Sequence, residues 1–119
     1  MELEKDKRIK REVTRMGRVF RNLDKDRRAM ADKVIRQAAF MAVTLEDLQD
    51  HINAHGTVSE YQNGENQWGT KKSPEVEIYN TMIKNYSSAV KQLCDLLPPQ
   101  EAKTAADELL DFVKQAGRR

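Results

Sequence analysis

Apolar residues return along this chain at steps of three and four, the period of a helix buried on one side. Ile9, Val13, Met16 and Phe20 make the first stripe and predict a helix from about Glu4 to Asn22. Val34, Ala38, Met41, Leu45, Leu48 and Ile52 make the second, with the alternating steps of a heptad seam. Asp24 stands where an N-cap accepts backbone N–H groups, and Gly56 follows His55 where glycine can end a helix. The stripe stays in phase through Thr44, so one long helix is expected rather than a break capped at Thr44 and Asp47. The third stripe is Val76, Tyr79, Ile83, Tyr86, Val90, Leu93 and Leu97, opened by Ser73–Pro74–Glu75 and closed by Pro98–Pro99. A last helix is expected from Pro99 to about Gln115, with Leu109, Leu110, Phe112 and Val113 clustered near its end.

These elements predict an all-α fold. Its centre is a long antiparallel helical hairpin, about 25–55 and 74–97, flanked by a basic N-terminal helix and a short C-terminal helix. Residues 57–72 are polar and irregular, and read as a loop or a small β-hairpin. If a hairpin turns on Asn63–Gly64, Tyr61 faces Asn66, Ser59 faces Trp68, and Tyr61 and Trp68 share a face. The whole of 1–119 reads as one domain: 1–24 a basic helix, 25–97 a hairpin core that also oligomerises, 98–119 a segment that docks a partner. Off the seams lie Met30, Ile35, Phe40 and Val43 on the second helix and Ile78 and Met82 on the third. Two helices paired only with each other would leave these wet, so the flanking helices and neighbouring copies are both expected to cover them.

Charge adds a direction to this picture. Residues 1–36 carry 13 Lys/Arg against 7 Asp/Glu, net +6, and residues 37–119 carry 8 against 12, net −4. A basic front on an acidic body points to a polyanion at one end and a protein at the other. On the first helix the cations fall mostly off the apolar stripe, which makes Lys5, Arg8, Lys10, Arg11, Arg15, Arg18 and Arg21 the candidate contacts to DNA phosphates. The same residues also fit an ordinary solvated face, because Glu2, Glu4, Asp6 and Glu12 dilute them. No apolar run approaches the ~18 residues of a membrane span, so no membrane partner is expected. One cysteine, Cys94, and a charged N-terminus favour a reducing cytosol.

Recognisable catalytic patterns are missing. There is no phosphate-binding Gly-rich loop ending in Lys-Ser/Thr, no His-Glu-x-x-His and no cysteine pair for zinc. His51 and His55 lie four apart near Asp47 and Asp50, a spacing that suits a metal but suits a helix C-terminus better. Glu46, Asp47 and Asp50 read as a solvated acidic face. No enzymatic activity, cofactor or metal is expected.

From Tyr61 to Pro98 the chain stops being generic. Tyr61-Gln62-Asn63-Gly64 is followed by Lys71-Lys72-Ser73-Pro74, then Ile78-Tyr79-Asn80-Thr81-Met82-Ile83-Lys84-Asn85-Tyr86, then Asp95-Leu96-Leu97-Pro98. This succession of loop, cap and helix closely resembles the phage terminase small subunits, over about residues 27–98. The resemblance implies a non-enzymatic protein that binds double-stranded viral DNA near the packaging start. It implies rings of many copies that regulate a large ATPase–nuclease subunit, in the cytoplasm of the infected bacterial host and not in the mature virion. It makes Val76–Leu97 a central helix that helps build the oligomer. With the seams, it nominates Val34, Met41, Leu45, Leu48, Tyr79, Met82, Ile83, Tyr86, Val90 and Leu93 as the oligomer interface. Tyr61, Trp68, Leu109, Leu110, Phe112 and Val113 are the candidates for docking the large subunit, the C-terminal group being preferred. The competing expectation is a dimeric helical DNA-binding regulator of antitoxin type.

Overall fold

The computed structural model describes residues 3–111. Along them run α1 (Glu4–Val19), α2 (Lys25–His55), β1 (Val58–Gln62), β2 (Trp68–Lys72), α3 (Pro74–Cys94) and α4 (Pro99–Leu109). The all-α hairpin architecture is present, and the 57–72 segment takes the small β-hairpin form. The molecule is elongated, 63 × 36 × 23 Å. Its length follows from α2, whose 31 residues span about 45 Å at roughly 1.5 Å each.

Local chemistry sets the helix limits. The Asp24 carboxylate accepts the Arg27 N–H at 2.9 Å and opens α2. Gly56, at φ 80°, ends it and donates its N–H to the Ile52 carbonyl at 2.7 Å. Ser73 opens α3, but its hydroxyl donates to the Glu75 carboxylate instead of capping the backbone. α1 stops at Val19 rather than Asn22, because Phe20 turns into the core and residues 20–23 close tight turns. α3 stops at Cys94 rather than Leu97. Leu96 and Leu97 make three-residue turns to Leu93 and Cys94, as the approach to Pro98 disfavours helix.

α2 is the central rod, packed by α1 on one side and α3 on the other. This changes which of its faces is buried. Ala31, Ile35, Ala38, Ala39, Ala42, Val43 and Leu45 are buried, whereas Val34, Met41, Leu48 and Ile52 are only partly covered. Alanine lets two neighbouring helices approach one rod closely, so the deepest face is rich in small residues and takes in only Ala38 and Leu45 of the heptad stripe. Met16 of α1, Phe20 just past its end, Tyr86 and Leu93 of α3, and Leu109 of α4 complete the core. The Tyr86 hydroxyl donates to the Leu109 carbonyl at 2.6 Å and ties α4 to α3.

The β-hairpin register differs from the two-residue turn expected. Tyr61 pairs with Gly69 and Gln62 with Trp68. The ladder is extended by Asn63 N–H to the Gln67 carbonyl, 2.7 Å, around a loop in which Gly64 adopts φ 120°. Tyr61 and Trp68 therefore lie on opposite faces. The Tyr61 ring folds over Gly69, where a Cβ would sit 2.7 Å from it, so the glycine sets the register by making room for the ring.

Candidate nucleic-acid interface

α1 presents its apolar stripe to α2 and its cations in two directions, and the geometry separates them. Arg8 faces inward. Its Nη1 lies 2.7 Å from Asp47 Oδ1 and its Nη2 lies 3.1 Å from Glu46 Oε2, both on α2. The hydrogen bond to Asp47, reinforced by Glu46 and opposed by desolvation, raises the Arg8 pKa. Lys5 joins this clamp, with Nζ 4.0 Å from Asp47 and 5.0 Å above the Phe40 ring centre. Two of the seven candidate DNA contacts are thus spent on holding α1 to α2, and Glu46 and Asp47 are their counter-charges rather than a solvated acidic face. Arg28 makes a further tie: its Nη1 donates to the Gly17 carbonyl at 2.8 Å while Nε holds Asp32 at 2.9 Å. Gly17 is buried, and a Cβ there would lie 2.9 Å from the guanidinium.

The remaining five face outward. Lys10, Arg11, Arg18 and Arg21 are exposed, and Arg15 is partly covered. Arg15 is held by Glu12, its Nε lying 3.0 and 3.2 Å from the two carboxylate oxygens, and this contact raises its pKa against the cost of burial. Arg11 reaches Glu4 only at 4.0 Å, across solvent. Lys10, Arg11, Thr14, Arg15 and Arg18 line a shallow hollow of about 440 Å³ that contains no acidic side chain. Thr14 belongs to this site although charge alone does not single it out; the sign was its spacing of three and four from Arg11, Lys10 and Arg18. Beside it, a larger groove of about 600 Å³ separates α1 from α4. Arg15, Arg18 and Arg21 form one wall, Glu101 and Glu108 the other, and Val19, Leu97 and Ala105 lie between them. That groove sets three arginines against two glutamates, so its charges largely offset, whereas the first hollow is lined by Thr14 and cations alone.

The other nominated surfaces also divide. Leu45, Tyr86, Val90 and Leu93 are buried inside the chain and have no area left for a second copy. The seam predicts an intermolecular contact at these positions, but the packing of the four helices buries them within one copy. Val34, Met41, Leu48, Tyr79, Met82 and Ile83 are partly exposed. Of the off-seam residues, Ile35 and Val43 are buried, while Met30 (61% exposed), Phe40 (47%) and Ile78 (49%) stay at the surface. Among the docking candidates, Leu109 is a core residue, Leu110 is partly buried, and Tyr61 and Trp68 are exposed. Phe112 and Val113 lie outside the described residues.

His51 does not meet Asp47 or Asp50 but Glu75, at 3.5 Å, with its ring 4.4 Å from that of His55. Among the described residues no group of three His, Cys, Asp or Glu is placed to hold a metal ion. Cys94 is buried, and desolvation raises its pKa. No helix of the described residues is long and apolar enough to cross a membrane. No protein-family model matches the chain, and neither a curated protein nor a solved structure does.

Proposed function

We propose that this chain is the small, DNA-recognising subunit of a viral DNA-packaging terminase. On this reading it is non-catalytic, binds double-stranded viral DNA through α1, assembles in several copies, and recruits and regulates a large ATPase–nuclease subunit in the infected bacterial cytoplasm. The observation that carries the DNA half is the acid-free hollow of Lys10, Arg11, Thr14, Arg15 and Arg18. The packaging role rests on the resemblance of residues 61–98.

The hollow fits a nucleic-acid backbone. Arg11 and Arg18 are two turns apart, about 10 Å at roughly 1.5 Å per residue, a separation that lets both reach phosphates of one strand. Guanidinium groups at that spacing replace condensed counterions, and the released ions drive binding. Such contacts fix position on the duplex without reading base edges. One subunit therefore binds weakly and with little sequence preference. Several copies held together make later contacts effectively intramolecular, and a curved or deformable site is then favoured over straight DNA.

Duplex binding followed by fluorescence anisotropy across a salt series tests the reading. Arg11→Ala with Arg18→Ala should weaken binding and reduce the slope of log K against log salt by about two, roughly one per lost phosphate contact. A slope equal to that of the unaltered chain removes α1 from the DNA role.

A further inference from the structure

The β1–β2 hairpin has no support of its own. Two five-residue strands are marginal without a third strand or a helix to pack on, and this pair makes no substantial contact with any helix. Its base is tied by the Ser73 N–H to the Thr57 carbonyl at 2.9 Å. The pairing of Val58 with Lys72, Glu60 with Thr70 and Gln62 with Trp68 puts these six residues on one face. Val58 and Trp68 are 56% and 66% exposed, and a hollow of about 320 Å³ opens beside the Trp68 ring. This face carries one apolar residue at each end, and its one acid and one base offset each other, so a phosphate backbone does not suit it.

The complement lies on the chain itself. On the first half of α3, Ile78 and Met82 line a shallow groove of about 350 Å³ that the fold leaves open. Glu77 lines the same groove, with Thr81 and Asn85. Lys72 and Glu77 form no ion pair among the described residues.

We infer that the hairpin is an assembly arm whose Trp68 face lies on the Ile78–Met82 patch of a second copy, with Lys72 meeting Glu77. The hairpin base adjoins the start of α3, and Ile78 and Met82 lie on the first three turns of that helix. Arm and patch are therefore neighbours along the chain, and copies placed side by side meet arm to patch. The contact joins two different surfaces, the head-to-tail type that makes a ring where its rotation closes and a filament where it does not. One tryptophan buries about 150–250 Å², well under the ~1,000 Å² of a stable pair. The arm therefore acts with other contacts, and closure gives each copy two such junctions. This deepens the assembly half of the proposed function and rests on it; it does not rest on DNA binding.

Trp68 is the single tryptophan, so its emission reports the contact directly. The full chain is followed over rising concentration by sedimentation for mass, with Trp emission and acrylamide quenching read on the same samples. The expected result is a blue shift and reduced quenching as mass rises. Glu77→Lys and Lys72→Glu should each weaken self-association by roughly tenfold or more, and the two together should restore it, with circular dichroism confirming that each variant folds. Assembly with Trp68 still as quenchable as in the monomer, or no rescue by the double variant, overturns the arm while leaving assembly standing. A chain that stays monomeric throughout overturns both.

Discussion

Arg8 and Arg11 are three positions apart on one helix, yet they do different work. Arg8 is bound by two carboxylates of α2, whereas Arg11 meets one acid at the limit of an ion pair. Arg8→Ala should therefore cost stability, about 1 kcal/mol for a partly exposed pair, while leaving the salt slope of DNA binding intact. Urea denaturation and the anisotropy series separate the two effects. The sequence shows that both are basic and off the apolar stripe; it does not show which acids sit across the interhelix gap, since Glu46 and Asp47 are nearly forty residues away. Glu75 gives a prediction in pH. The Ser73 hydroxyl, then its own backbone N–H and the nearby His51, hold its pKa below the ordinary carboxylate value. A depressed pKa means that these contacts stabilise the fold above the usual carboxylate range and are lost as acidification protonates the group. Ser73→Ala should move the Glu75 titration, followed by carboxyl NMR, back up toward the ordinary value. An unmoved midpoint would show that the hydroxyl has no such part.

At the scale of elements, α2 carries the clearest departure from the heptad reading. Its stripe located the helix, and Asp24 and Gly56 marked its ends. Two of the stripe's members, Ala38 and Leu45, are buried, but two helices press on one rod, so Ala31, Ile35, Ala39 and Ala42 lie deeper than Val34, Met41 and Leu48. Periodicity finds a helix, but a single stripe does not count its neighbours. Thermal unfolding tests the packing: Ala38→Leu should destabilise by about 1–3 kcal/mol through overpacking, and Leu93→Ala by about 2–5 kcal/mol through the cavity it leaves. Leu48→Ala, at a half-covered position, should cost less than Leu93→Ala. A neutral Ala38→Leu would mean that α1 and α3 do not close on that face. The hairpin shows a similar limit. Asn63–Gly64 marked the turn, but the Tyr61 ring over Gly69 shifts the register and divides the two aromatics between faces.

Over the whole molecule, the net charges of the two ends overstate the contrast at the surface. Lys5, Arg8, Glu46 and Asp47 cancel across the α1–α2 seam, and in the groove between α1 and α4 two glutamates offset most of the charge of three arginines. What remains is a compact basic patch on α1, exposed apolar residues at Met30, Phe40 and Ile78, and an unsupported hairpin arm. None of these is needed to complete the fold of one copy. The proposed function gives each an employer: DNA for the first, neighbouring copies for the others. Native mass spectrometry of the chain with a short duplex tests that claim most directly. The account predicts a discrete assembly of several chains on each duplex, already formed without DNA and disrupted by high salt only in its hold on the duplex. A single chain bound to each duplex, or a lone chain that ignores it, would contradict the account.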